Sequence, residues 1–318
     1  MARTSIPVHD QPAGRPAEER TVALTGTYAP GHAWRYLSLA PTVILLLALT
    51  VLPIVWLAAM SLHTIAWQGG AAQWTFVGLG NYLSMPGNVF FAAALRNTVL
   101  FVIVCVAVEM LLGFALALMV SRLVRGRTLF IAILLLPILV PAIVIGAIFK
   151  LMYNYDFGLV NDIVGLLGLP AQDWLGDPNL ALASVIVVDI WHWTSFCFLL
   201  LLAGLESLSH DLHEAARLDG ASFWQELRLV TLPLMMPVLL ATLAARALLA
   251  FKVFDEVFLL TGGGPGTATE VLSFTVYRVF FTEDRQGPGS AMAMAVIIMV
   301  CAMVLVAVLG LRRRTPGR

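Results

Sequence analysis

Charged and aromatic side chains interrupt otherwise apolar sequence at two places, Asp189-Ile190-Trp191-His192-Trp193 and Phe251-Lys252-Val253-Phe254-Asp255-Glu256. Ionisable groups in such settings are costly, and they mark either a pathway or a buried pair. Carboxylates beside flat aromatic faces suit a polyhydroxylated solute, whose hydroxyls need hydrogen-bond partners and whose C–H faces need apolar surface. Asp189, Trp193, Phe196, Phe251, Lys252, Asp255 and Glu256 supply that mixture. On a helix, Lys252, Asp255 and Glu256 would cluster at i, i+3 and i+4, and Asp189 and Trp193 would share a face from which Trp191 points away. The alternatives are an internal ion-pair cluster reaching toward the interface and tryptophans that serve as an interfacial belt. Glu109 and Arg246 are single charges in mid-run that could pair with each other. His192 reads as a hydrogen-bonding packing residue rather than a metal ligand.

The elements that must hold these groups are long and apolar. Of 318 residues, 60% are hydrophobic and only 12% charged, with a mean hydropathy of +0.89. A bilayer is the simple account of so much apolar surface. Six stretches reach spanning length, at about 36–60, 97–121, 128–150, 181–205, 237–260 and 290–311. Their apolar residues run continuously rather than alternating, which favours helices over barrel strands. The expected fold is therefore all-α, with six transmembrane helices. A zero formal charge gives no sign of a nucleic-acid partner. Cys105, Cys197 and Cys301 all fall inside apolar runs, so neither a disulfide framework nor a metal site is expected.

Lysine and arginine placement orients the spans. With the amino end inside, inner segments hold thirteen basic residues, among them Arg122, Arg125, Arg127, Arg217, Arg228 and Arg312–Arg314, and outer loops hold only Lys150, Arg278 and Arg285. Residues 1–35 then form a mostly disordered cytoplasmic tail, 36–311 the membrane domain, and 312–318 a basic cytoplasmic tail. The loop at 206–235 is also cytoplasmic.

That loop reads Glu214-Ala215-Ala216-Arg217-Leu218-Asp219-Gly220-Ala221, followed by Leu232-Pro233 and Pro237. Locally it predicts two short helices and a bend. Asp211 would cap the first, with Glu214 at the reciprocal position. Gly220 suits a left-handed residue after the helix, and Ser222 with Gln225 forms a second capping box. Pro233 would end the second helix or kink it. The string resembles the EAA loop of binding-protein-dependent ABC importer permeases: Glu-Ala-Ala, three residues, Gly, nine residues, then Val230-x-Leu232-Pro233 where the family has Ile-x-Leu-Pro. The resemblance implies a coupling helix that docks on a separate ATPase, with Glu214, Ala215, Ala216, Asp219, Gly220, Leu232 and Pro233 in the coupling role.

The outer segments extend the resemblance. Residues 61–95 lack Lys, Arg, Asp and Glu but carry Trp67, Trp74, Phe76 and Tyr82, which read as interfacial anchors. Phe76-Val77-Gly78-Leu79-Gly80-Asn81-Tyr82 resembles a Phe-x-Gly-x-x-Asn-Tyr element of carbohydrate permeases. Residues 151–180 carry Asp156, Asp162, Asp173 and Asp177. Thr261-Gly262-Gly263-Gly264-Pro265-Gly266 must stop the fifth span, and the bland reading is a flexible turn. A phosphate-cradling loop fits poorly, because no Gly-Lys-Ser/Thr follows and no strand is expected before it. With Thr269 and Tyr277, the string is similar to the maltose-transporter-type, first-of-pair sugar permeases.

The resemblance implies one of two unlike permease chains lining the path of an ABC importer. Its partners would be a second permease, an ATP-binding subunit dimer carrying ATP and Mg, an extracytoplasmic solute-binding protein and membrane lipid. The cargo would be a sugar or sugar-like solute, with a polyol, sugar derivative or glycerol phosphodiester also open. The chain itself would bind no cofactor and catalyse nothing, and it would sit as a multi-pass protein in a prokaryotic plasma or inner membrane. An autonomous secondary transporter should show internal repeats, and none stands out. His210-Asp211-Leu212-His213-Glu214 lacks the closing His of a zinc-protease motif. A helix-turn-helix DNA reader fits poorly with Arg217 and Arg228 against Glu206, Asp211, Glu214, Asp219 and Glu226.

Overall fold

The computed structural model describes residues 32–123 and 125–314. Most of the 1–35 tail and residues 315–318 lie outside this range. His32 to Arg35, assigned to the tail from sequence, are the first turn of helix α1 (His32–Ser61). Among the described residues, those from His32 to Leu52 form one unit and those from Pro53 onward another, so the apolar stretch of α1, Leu37–Ser61, is divided between them.

The second unit opens with a feature that corrects the all-α expectation. Strands β1 (His63–Gln68) and β2 (Ala71–Phe76) pair antiparallel, with His63 opposite Phe76 and Trp67 opposite Ala72. Gly69 (φ 58°) and Gly70 (φ 81°) make the two-residue turn, the primed geometry that matches strand twist and that glycine adopts without strain. Trp74 packs edge-on against Trp56 at 5.6 Å and against His63 at 5.5 Å, so it belongs to a folded hairpin. The short helix α2 (Gly80–Leu83) follows. There the Asn81 amide donates to the carbonyls of Ser61 (2.9 Å) and His63 (3.0 Å), and the Tyr82 hydroxyl donates to Ser61 Oγ (2.7 Å). The Asn-Tyr pair thus pins the root of the hairpin to the end of α1.

Helix α3 (Val89–Ser121) begins before the span predicted at 97–121, because the Asn88 side chain caps it by accepting from Phe90 N and Phe91 N. The span predicted at 128–150 is two helices, α4 (Arg127–Leu139) and α5 (Ala142–Met152), bent by 90°. Pro141 explains the break: it has no N–H to continue the ladder and pushes Val140 into extended backbone (φ −84°, ψ 127°). Among the described residues, five helices are long and apolar enough to cross a membrane, and a sixth if the bent pair is one span.

The short helix α6 (Leu159–Leu166) leads to α7 (Ala181–Glu206), then the elbow helix α8 (His210–Leu218) and α9 (Phe223–Glu226). A π-helical turn (Leu227–Thr231) joins α9 to α10 (Leu232–Phe251), which is followed by α11 (Asp255–Leu260), α12 (Leu272–Tyr277), a second π-helical turn (Arg278–Thr282) and α13 (Gln286–Arg314). The predicted fifth span, 237–260, is thus the later part of a helical run from Phe223 to Leu260 that is interrupted at Lys252–Phe254.

Lipid gives helices no hydrophobic reason to associate, so close van der Waals packing must hold them. Gly113 on α3 does this against α7: a Cβ placed there would lie 2.8 Å from Cys197 Cβ and 2.9 Å from the Phe198 nitrogen. Gly204 on α7 leaves room in the same way for Met235 and Val238 of α10. The core so enclosed includes Phe101, Ile145, Val185 and Val257 at one level and Ala117, Phe198, Leu201 and Met235 at another.

Candidate functional site

Three helices bring their buried charges to one point. Arg246 of α10 donates from Nη2 to Glu109 Oε1 of α3 at 2.8 Å, from Nε to Glu109 Oε2, and from Nη2 to Asp189 Oδ2 of α7. Glu109 and Arg246 are fully buried and Asp189 is 1% exposed. The guanidinium also lies over the Trp193 ring, 4.8 Å from its centroid, a cation–π contact. The two single charges thus pair, and Asp189, read from sequence as a pathway residue, shares the pair. Cys105 Sγ and the two carboxylates lie within 4.8 Å of one another, a spacing a metal ion could use. Arg246 already supplies the cation between the carboxylates.

Beside this cluster is a cavity of about 110 Å³ lined by Asp189, Trp193, Lys252, Phe254, Asp255 and Glu256. The break in helical geometry corrects the i, i+3, i+4 reading of Lys252, Asp255 and Glu256. Lys252 closes α10 (φ −98°, ψ 15°) and Phe254 precedes α11 in neither helical nor extended backbone (φ −144°, ψ −56°). Glu256 therefore turns inward, 3.4 Å from His192 Nδ1, while Lys252 and Asp255 are exposed. Two aromatic candidates stand apart from the cavity. Phe196 packs on Trp193 at 5.8 Å without lining it, and Phe251 turns into a core with Ala94 and Leu272. Trp191 lies in a different, apolar recess with Leu112 and Ile133. Ligand pockets usually enclose about 300–1,000 Å³, so this cavity can serve only as one wall of a larger site.

The loop after α11 is built rather than slack. Gly262 (φ 58°), Gly263 (φ 82°) and Gly266 (φ 60°) turn the chain, and the Gly264–Pro265 bond is cis. The Thr261 and Thr269 hydroxyls meet at 2.7 Å, and Thr269 donates to the Gly264 carbonyl at 2.7 Å. Asn97 of α3 then donates to the carbonyls of Thr267, Ala268 and Glu270. Sequence reading missed Asn97; its signal was a polar residue placed at the very start of an apolar run.

Burial pushes the Glu270 carboxyl above the ordinary glutamate value of 4.5, and the Thr275 hydroxyl (2.7 Å) and Arg278 (3.1 Å) offset this only in part. The native chain therefore holds this proton more tightly than the unfolded chain does. Its stability falls as pH rises from 4.5 toward the raised value. Acidification from neutrality is expected to raise the thermal midpoint of the wild type more than that of Glu270→Gln. Equal slopes would count against the assignment.

The elbow keeps its sequence-predicted bend but not its first cap. Ser209, in extended backbone (φ −62°, ψ 131°), precedes α8, so Asp211 falls within the first turn and Glu214 beyond the capping position. Asp211 still favours the positive helix end. Gly220 adopts φ 75° and the Ala221 N–H closes on the Ala216 carbonyl at 3.0 Å, as expected for a left-handed terminator. The Ser222–Gln225 capping box is present. Pro233 does not end the second helix. It sits in the first turn of α10, just after the π turn, where the Thr231 hydroxyl donates to the Glu226 carbonyl at 3.3 Å. The proline's missing N–H is thus absorbed by a widened turn, and a helix runs on past residue 235, the boundary expected for the loop.

Residues 109–314 match the family model of the binding-protein-dependent transport system inner membrane component. The chain is 38% identical over 271 residues to the trehalose/maltose transport system permease protein MalF of Thermococcus litoralis, covering 85% of this chain and 91% of that protein. It is 33% identical to the sulfoquinovosyl glycerol transport system permease protein SmoG of Agrobacterium fabrum, covering 86% and 87%. A chain of a bacterial ABC transporter for import of the acidic polysaccharide alginate superposes with a TM-score of 0.78 at 24% identity, over 89% of this chain and 96% of that one, and so shares its fold. The chain belongs to the binding-protein-dependent transport system inner membrane component family, and is a multi-pass, non-catalytic permease subunit of the ABC importer type.

Proposed function

We propose that this permease carries a sugar or sugar-like solute as the first-of-pair chain of a heteromeric importer. A second permease completes the path, a dimer of ATP-binding subunits hydrolyses Mg-bound ATP, and an extracytoplasmic binding protein delivers the solute. The amino and carboxyl ends and the 206–235 elbow face the cytoplasm, and α8 is the coupling helix. ATPase closure draws the elbows of the two permeases together and opens the spans outward; after hydrolysis the site faces inward.

The observation that carries this reading is the exposure of α8. From Asp211 to Gly220 its side chains are exposed or half-exposed, including Leu212 at 45% and Leu218 at 88%. A helix with no buried side chain from Asp211 to Leu218, with Glu214-Ala215-Ala216 on it and the Gly220 bend after it, suits a docking role. Small side chains at Ala215 and Ala216 allow close approach. The cargo class is supported by the cavity of Asp189, Trp193, Lys252, Asp255 and Glu256 and by relatives named for trehalose/maltose and starch degradation products. A sugar derivative is the second reading, favoured by the likeness to a sulfoquinovosyl glycerol permease.

Affinity purification of the full chain from its native membrane should recover an ATPase and a second permease. Identifying the ligand of the binding protein that stimulates the recovered complex then names the cargo. A chain that moves solute alone in vesicles would contradict the proposal.

A further inference from the structure

We propose that Glu226, which lies outside the Glu-Ala-Ala…Gly…Leu-Pro pattern, is the positioning residue that fixes the elbow helix to the membrane helices. The proposal rests on the coupling reading above.

None of the α8 side chains from Asp211 to Leu218 is buried, and two of them, His213 and Arg217, reach across to α9. Both reach one carboxylate. His213 Nδ1 stands 2.8 Å from Glu226 Oε1, and Arg217 Nε lies 3.6 Å from Oε2. From the other side Arg122, which caps the end of α3, approaches Oε1 at 4.0 Å and lies over the Phe223 ring at 4.3 Å. Glu226 itself is only 5% exposed.

A buried carboxylate is tolerable only with cations around it, so the arrangement is held together by its own electrostatics. Glu226 is the last residue of α9 and leads directly into the π turn and α10. A force on α8 therefore has a side-chain route into the root of α10 and the end of α3. Behind the anchor lies a groove of about 450 Å³ whose walls include Leu118, Arg127, Leu205 and Glu206. The Arg127–Glu206 pair spans it, tying α4 to α7.

The test uses the complete transporter, with both permeases, the ATPase dimer and the binding protein, in proteoliposomes. Glu226→Gln keeps shape and removes charge. It should lower the solute moved per ATP hydrolysed about ten-fold, which corresponds to ~1.4 kcal/mol and lies near the low end for a lost hydrogen bond to a charged group. The loss should fall on maximal turnover, with the apparent affinity for loaded binding protein unchanged. His213→Gln should lower coupling in the same direction. The double variant should be no worse than Glu226→Gln alone, because both substitutions break one interaction. Glu226→Asp, which keeps the charge, should recover part of the loss.

Wild-type coupling in Glu226→Gln would overturn the proposal. So would strictly additive losses in the double variant, or failure of both Glu226→Gln and Glu226→Asp to assemble, which would mark the residue as merely architectural. A wild-type complex that holds no ATPase would sink the importer reading itself, and that result is visible before any variant is made.

Discussion

Arg246→Met is expected to destabilise the helix bundle more than any other single substitution in the membrane. The guanidinium answers two carboxylates, Glu109 and Asp189, neither of which reaches solvent. Removing one partner of a buried ion pair costs about 3–5 kcal/mol, because the charge left behind has neither water nor a counter-ion. Arg246→Lys should fall in between, since an ammonium is a point charge and cannot hold the guanidinium's forked geometry. The neutral triple variant Glu109→Gln/Asp189→Asn/Arg246→Met should regain much of the loss, since apolar or neutral replacement of a whole buried triad is often well tolerated. Thermal unfolding of the detergent-solubilised complex, with the fraction of monodisperse protein, measures all three. An Arg246→Met variant as stable as wild type would remove the cluster from any central role.

Gly220→Val should weaken coupling strongly while leaving the spans in place. A Cβ at this position would meet nothing within 4 Å, so crowding is not the issue. The obstacle is φ 75°, which costs an L-residue roughly 1–2 kcal/mol and is worse for a β-branched side chain. The chain escapes by redirecting the link between α8 and the Ser222 cap, which swings Glu214-Ala215-Ala216 off their docking direction. Transport is expected to fall at least about ten-fold, the equivalent of that ~1.4 kcal/mol strain, with membrane insertion intact. Gly220→Asn is the control: asparagine visits the left-handed region, so it should keep most of the activity. If Val and Asn behave alike, backbone conformation at 220 is not what matters. Glu214→Ala should also lower solute moved per ATP, though by less than Gly220→Val.

Local rules carried a long way in this sequence, and their failures share a cause. Continuous apolar runs found the spans because a helix in lipid must satisfy its own backbone, and the glycine at 220 and the Ser222–Gln225 box were legible because caps and turns are decided within a few residues. The hairpin at His63–Phe76 was written in the sequence too, as Gly69-Gly70 between aromatic and β-branched residues, but uncharged aromatics near a membrane read just as well as anchors. Pro141 was visible, yet hydropathy alone cannot say whether a proline kinks a span or folds it through 90°.

The Glu109–Arg246 pair aside, contacts between distant residues are where reading failed. Nothing near Phe251 in the chain shows that it turns toward Ala94 and Leu272. Nothing near Asp189 shows that Arg246, 57 residues on, will claim it. The break at Lys252–Phe254 has no proline or glycine to announce it; in the folded chain it accompanies burial of Val253 and the inward turn of Glu256 toward His192.

The central claim is that the α8 elbow stands on the cytoplasmic side and carries the ATPase. Leu218→Cys tests it most directly, because this side chain is 88% exposed and Cys105 and Cys197 are buried, leaving only Cys301 to be replaced by serine. A membrane-impermeant maleimide should label Cys at 218 in inside-out vesicles and not in right-side-out ones, and assembly with the ATPase subunits should protect it. Labelling from the outer face, or equal labelling with and without the ATPase, would contradict the account.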